Sequence, residues 1–319
     1  MSNNYSKSTH QFDRLAKEWF TIQKTHLKLS SVAKYSGIIN NSLIPYFGAR
    51  DIISITRNDI WEFVQQHNPR NDKVRDILSP KTLNGMLSVL KCIFKYAEKE
   101  KSLAVADVRD ISVKQSHHAL RVLSRREQHD LTFYLVNNIT PCNLGILLSL
   151  YTGLRIGEIC ALKWRDVSFP EHIISVNKTM QRIQIENGKK RTMLMICSPK
   201  SECSVRRIPV PDMMYKLLLA MRQGDDCFLL KEEGHNYIEP RCLENRFKSV
   251  LSKCDIKNVH FHTLRHTFAT RCIELGFDAK SLSEILGHSS VSITLNRYVH
   301  PSMELKQNNM KKLDSLFAE

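Results

Sequence analysis

The chain has 319 residues, with 47 Lys or Arg against 32 Asp or Glu and a formal net charge of +15. That length exceeds a typical single domain and points to two, while the positive excess points to a polyanionic partner, nucleic acid first, with a merely soluble basic protein as the plain alternative. The start of the chain has no apolar h-region and the run LGILLSLY (144–151) is far too short to span a bilayer, so the chain reads as soluble, cytoplasmic and not exported.

The first third reads as helices separated by polar turns. Residues 12–26 set Phe12, Leu15, Trp19 and Ile22 at three- and four-residue steps, and the series Val32, Tyr35, Ile39, Leu43 does the same further on. A turn is expected at Pro45 to Gly48 and a short helix from Asn58 to Gln66, with Ile60, Phe63 and Val64 inward. Ser79-Pro80, a capping residue followed by proline at the first helical position, opens a longer helix through Leu83, Met86, Leu87, Leu90, Ile93, Phe94 and Ala97. Lys81, Lys91, Lys95 and Lys99 line its outer face, which is either a solvated surface or a set of phosphate contacts. Ahead of Phe12, residues 1–11 read as a flexible start with no additional module.

Periodicity dissolves between residues 112 and 123, so this stretch is expected to link a helical domain (12–111) to a second one (124–319). Ser124 with Glu127 three residues on forms a capping-box pattern that opens the second domain. Thr152-Gly153 interrupts the apolar run, and a helix restarts at about Leu154, which leaves Arg155 at a helix N-terminus, where backbone N–H groups favour an anion. Glu158 follows one turn on, placed to orient Arg155 or a neighbouring imidazole. Residues 173–210 alternate and are rich in β-branched side chains, with an Asn187-Gly188 turn signal, and read as three strands of one small sheet. Lys200 falls between the last two; Lys189, Lys190 and Arg191 fit equally well on composition, and only the spacing to Arg206-Arg207-Ile208-Pro209 singles out Lys200.

His262 and Arg265, three apart, share a helix face, with Leu264, Phe268, Cys272 and Leu275 expected as a buried stripe elsewhere. His266 reads as a satisfied structural histidine. A further helix ends at Gly287, His288 follows at the turn, and Tyr298 lies ten residues beyond on the face of Val291 and Thr294 or Leu295. The tail offers Met303, Met310, Leu313, Leu316 and Phe317 to an amphipathic helix that could pack on its own chain or on a neighbour. Nine cysteines with no C-x-x-C pair and no histidine at zinc spacing read as reduced thiols, and neither a metal nor a cofactor is expected.

Together YTGLRIGEICALKWRDV (151–167), FHTLRHTFAT (261–270) and LGHSSVSITLNRYVH (286–300) resemble the tyrosine recombinases, also called the phage integrase family. The resemblance covers the catalytic half closely and the first third only in general character. It implies an all-α, SAM-like core-binding domain that clasps DNA, followed by a mainly α catalytic domain with a small antiparallel β-sheet. It also implies a catalytic set of Arg155, Lys200, His262, Arg265, His288 and Tyr298.

Chemistry accounts for these residue types. A tyrosine with an ordinary pKa near 10 must be activated to attack phosphorus while charge builds on the non-bridging oxygens. Arg155 and Arg265 offer permanently charged forks for that charge, and His288 a further hydrogen bond. His262 is the candidate base for Tyr298, and Lys200 the candidate acid for the departing 5′ oxygen. A 3′-phosphotyrosyl link would conserve the bond energy for rejoining, without nucleotide or metal. Strand exchange in this family implies specific sites on double-stranded DNA, a homotetramer and, in some systems, accessory bending or directionality proteins. The runner-up readings are a type IB topoisomerase and a DNA-binding protein on an inactive scaffold.

Overall fold

In the computed structural model the described residues are 10–67, 78–115, 120–184, 192–198, 202–232 and 234–299, with residues 307, 310, 311, 313 and 314 beyond them. They divide into two units, one of residues 1–118 with 183–193 and the other of residues 119–182 with 194–319.

In the first unit, α1 (Phe12–Lys24), α2 (Leu29–Ile38), α3 (Ile44–Phe47), α4 (Arg57–His67) and α5 (Pro80–Glu100) pack around one apolar core. The stripe of α1 runs through Phe12, Leu15, Ala16, Trp19 and Phe20 and leaves the expected Ile22 exposed. Between α2 and α3 the chain widens into a π-helical turn, Ile39–Leu43, that keeps both of its end residues buried. Phe47 sits between Phe12 and Phe63, with ring centroids 5.6 and 5.3 Å away. The Ser79 hydroxyl caps α5 by accepting the Thr82 N–H at 3.1 Å, which satisfies one of the free donors of the first turn. Across α5, Lys81, Lys95 and Lys99 are exposed, whereas Lys91 is half-buried and donates to the Arg109 carbonyl at 2.9 Å.

The second unit opens with α6 (Arg125–Asn137), where Ser124 and Glu127 form the reciprocal capping box, followed by α7 (Pro141–Thr152) and the short α8 (Ile156–Ala161). Residues 142–150 of α7 are buried on every side, which explains a run too uniformly apolar to show a helical stripe. The single three-stranded sheet expected over 173–210 is instead two sheets. β1 (Val167–Ser168), β2 (Ile173–Val176) and β5 (Arg206–Pro209) form one antiparallel sheet in the order β1-β2-β5, with Ile174 opposite Ile208. β3 (Thr179–Gln184) and β4 (Thr192–Cys197) form the other. The run read as one strand is interrupted at Asn177-Lys178, between β2 in one sheet and β3 in the other.

α9 (Asp212–Ala220), α10 (Pro240–Lys253), α11 (Phe261–Glu274), α12 (Ala279–Leu286) and α13 (Val291–Tyr298) complete the unit. α7 and α11 pack closely, and α11 is buried from Thr263 to Thr267, so it lacks the one-sided stripe expected of it. Leu275, at the end of that expected stripe, is exposed because the helix has already stopped. In the tail Met310 and Leu313 are exposed, and Met303, Leu316 and Phe317 lie outside the described residues. Among the described residues no helix is long and apolar enough to cross a membrane.

Candidate active site

Two left-handed glycines build the floor of the site. Gly153 (φ +68°) caps α7 and Gly287 (φ +64°) caps α12, a conformation that costs other residues a Cβ clash. A Cβ at Gly153 would lie 2.6 Å from Phe268 and 2.8 Å from Leu286, so the backbone there also approaches its neighbours too closely for a side chain. Each turn presents a carbonyl to an arginine. The Gly153 carbonyl accepts from Arg265 Nη1 at 2.8 Å, and the Gly287 carbonyl accepts from Arg155 Nη2 at 3.3 Å.

Arg265 is 1% exposed and also donates Nη2 to the Leu286 carbonyl at 2.6 Å. Its two bonds use two of five guanidinium N–H groups. Burial, then the positive charge of Arg155, lowers its pKa to about 9, which leaves it charged at neutral pH.

Arg155 is the N-cap of α8, and its position at a helix start is reinforced by Glu158, which accepts the Arg155 backbone N–H at 2.9 Å and Nη1 at 2.8 Å. Glu158 is buried and carries a second guanidinium, that of Arg206, at 3.1 and 2.9 Å. Burial alone would raise the Glu158 carboxyl, but the Arg206 hydrogen bond, the charges of Arg206 and Arg155, and the Arg155 N–H hold it below its ordinary value. Arg206 Nε in turn donates to the Ile285 carbonyl at 2.6 Å, so one side chain joins β5, the start of α8 and the end of α12.

Tyr298, at the end of α13, is 6% exposed. Its hydroxyl lies 2.8 Å from His266 Nδ1. His262 packs its ring edge-on against His266, with centroids 4.5 Å apart, and the His288 ring stacks parallel to Tyr298 at 6.3 Å while its Nδ1 pairs with Thr294 Oγ1 at 2.8 Å. Burial raises the Tyr298 phenol, against the pull of Arg265, Arg297 and Arg155. His262 keeps an exposed edge, yet desolvation by the surrounding protein and the charges of Arg265, Arg155 and Arg297 push its pKa down to about 4. Desolvation, then the same guanidiniums, lowers His288 to about 4, and desolvation, then His262 and Arg297, lowers His266 to about 3. All three imidazoles are therefore neutral near pH 7.

The structure thus brings Arg155, His262, Arg265, His288 and Tyr298 together, with Glu158 bonded to Arg155. Lys200, like its rivals Lys189, Lys190 and Arg191, lies outside the described residues. Lys81, Lys91, Lys95 and Lys99 belong to the other unit. Sequence reasoning passed over two participants. Arg206 served only as a landmark, although its place two residues from buried Ile208 on β5 marks an inward position. His266 is satisfied, as expected, but its partner is Tyr298. Its place one turn after His262 was the available signal.

A phenol ringed by neutral imidazoles, beside two arginines turned on glycine carbonyls, is the equipment of a DNA strand transferase, a site-specific recombinase. The chain belongs to the phage integrase family, whose model matches residues 137–304, and the model of its N-terminal SAM-like domain matches residues 11–67. A tyrosine recombinase XerC-like protein of Caldanaerobacter subterraneus subsp. tengcongensis is 32% identical over 54% of this chain, which spans 48% of that relative. The ICEBs1 integrase of Bacillus subtilis is 25% identical over 88% of this chain and 76% of its own length. The Tn1549 transposon integrase, solved in complex with transposon right end DNA, matches with a TM-score of 0.80 and 21% identity over 95% of this chain and 99% of that one, a likeness of fold. These relatives are recombinases and integrases and do not favour the topoisomerase or inactive-scaffold readings.

Proposed function

We propose that Tyr298 is the nucleophile of a site-specific recombination reaction on double-stranded DNA. The observation that carries this reading is the buried Tyr298 hydroxyl, held among three neutral imidazoles beside Arg265 and Arg155. Oη attacks the scissile phosphorus, the bond to the 5′ oxygen breaks, and a 3′-phosphotyrosyl link forms. Arg155 and Arg265 bind the non-bridging oxygens, where charge grows in the transition state. His288 adds a hydrogen bond, His262 is the candidate base, and Lys200 is the candidate acid that delivers a proton to the departing oxygen. Glu158 keeps Arg155 aimed. A 5′ hydroxyl from a partner strand then attacks the link and releases Tyr298.

Two sites exchanging two strand pairs require four protomers, so the working assembly is a homotetramer on DNA in the cytoplasm, with accessory bending or directionality proteins as further partners. Residues 12–111 serve as a core-DNA-binding domain, 112–123 as linker and 124–319 as the catalytic domain. The likeness to integrases of mobile elements supports integration and excision as the biological role. Capture of covalently bound DNA from cells is the test. Adducts at one site with the wild-type chain and none with Tyr298→Phe are expected, with gel-shift affinity nearly unchanged. Adducts formed by Tyr298→Phe would reject the nucleophile, and binding without adducts in either chain would favour a DNA-binding protein.

A further inference from the structure

Of the three imidazoles around Tyr298, one alone is bonded to it. His288 has committed Nδ1 to Thr294, and its ring lies parallel to the phenol, with planes within 6°, a stacking geometry. His262 meets the edge of His266. His266 is itself 9% exposed and points Nδ1 at the phenol oxygen from one residue past Arg265 on α11. In the tautomer with its ring proton on Nε2, Nδ1 is an acceptor at 2.8 Å and the phenol proton points at the ring.

We propose that His266 is a positioning residue for the nucleophile: its Nδ1 accepts the hydrogen bond of the Tyr298 hydroxyl and so turns the oxygen's lone pairs toward the phosphate held by Arg265. The proposal rests on Tyr298 being the nucleophile. Backbone geometry supports it. α11 carries Arg265 and His266 as consecutive residues, so a single rigid helix sets the phosphate ligand and the phenol's anchor at a fixed separation, and α13 needs only to deliver the tyrosine ring. Without the anchor the phenol keeps its stacking on His288 but loses the restraint on rotation about its C–O bond and on the small tilts of the ring. A misplacement of about 1 Å in a reacting atom can cost roughly a hundredfold in rate.

The experiment measures single-turnover adduct formation by the full chain on a suicide duplex carrying its captured target site. His266→Ala is expected to slow adduct formation about 10- to 100-fold at saturating DNA while leaving the DNA dissociation constant unchanged. His266→Asn, whose amide reaches where Nδ1 stood, is expected to recover most of the rate. A bridging 5′ phosphorothiolate, which needs no leaving-group proton, should not rescue His266→Ala. With 3-fluorotyrosine at position 298, the fluorine resonance should move in His266→Ala and return in His266→Asn. A wild-type rate in His266→Ala, with Tyr298→Phe inert, would overturn the anchor and leave the nucleophile standing. Adducts from Tyr298→Phe would instead overturn the active-site reading. Equal loss of rate and of melting temperature in His266→Ala and His266→Asn would make the residue structural and overturn the proposal as well.

Discussion

The two units handle positive charge in opposite ways. On α5 of the first, Lys81, Lys95 and Lys99 are exposed, where charge is screened within about 10 Å at 0.1 M salt. In the second, Arg265 and the side chain of Arg206 are buried, and each is tied to backbone carbonyls at 2.6 to 3.2 Å. Solvated lysines are cheap to keep and attract any phosphate backbone, whereas a buried guanidinium carries a desolvation cost that only a precise task justifies. Burial also explains why the site's imidazoles are neutral and its phenol reluctant to ionise.

Arg265→Ala should break this contrast most severely. Single-turnover cleavage should fall about a thousandfold, the scale set by loss of one preorganised donor to a transition-state oxyanion, while DNA affinity changes little. Arg265→Lys should be nearly as slow, because one ammonium cannot span the Gly153 and Leu286 carbonyls and still face a phosphate. Weakened binding with an unchanged rate constant would remove Arg265 from the chemistry.

Glu158 offers a stability counterpart. Glu158→Gln leaves two guanidiniums, one of them in a side chain only 6% exposed, without their shared carboxylate. Breaking a buried pair by losing one partner costs about 3 kcal/mol or more, measurable by urea unfolding of the full chain. Cleavage should also slow as Arg155 loses its aim. A stability unchanged within error would mean that water replaces the carboxylate, and that the cluster is wetter than its burial indicates.

Much of this was legible before the structure. Helix starts marked by local chemistry, such as Ser79-Pro80 and Ser124 with Glu127, were readable because a cap is a contact between neighbours in sequence. The arginine, histidine and tyrosine positions came from the resemblance to the phage integrase family, and the structure places Arg155, His262, Arg265, His288 and Tyr298 in one unit. Contacts between distant segments did not. Arg206 reaches Glu158 across 48 residues, and His266 reaches Tyr298 across 32, and nothing local to either residue names its partner. The sheet was misread for a related reason, since β2 and β3 share an alternating pattern and only their partners, β5 and β4, separate them.

A smaller effect should appear in acid. His262, His266 and His288 titrate near 6.5 when unfolded but near 4, 3 and 4 in place. Below pH 6.5 the unfolded chain takes up protons that the folded site refuses, so the stability they contribute is full above about pH 6.5 and declines as pH falls toward 4 and then 3. Urea midpoints measured from pH 7.5 to 4.5 should therefore decline in wild type and decline less steeply in His266→Asn. Equal slopes would mean that His266 titrates normally in the folded chain.

The lysine row should yield the smallest effect and the sharpest test of the opening contrast. Lys95→Ala and Lys99→Ala should each weaken DNA binding a few-fold, lower the slope of log affinity against log salt by about one, and leave the cleavage rate constant untouched at saturation. Lys91→Ala should change less, because its ammonium is already engaged by the Arg109 carbonyl. That ranking separates phosphate contact from general charge, since simple loss of one positive charge would weaken all three variants alike. If none of the slopes moves, the outer face of α5 is only solvated, and the salt-dependent affinity must come from the cations of other elements.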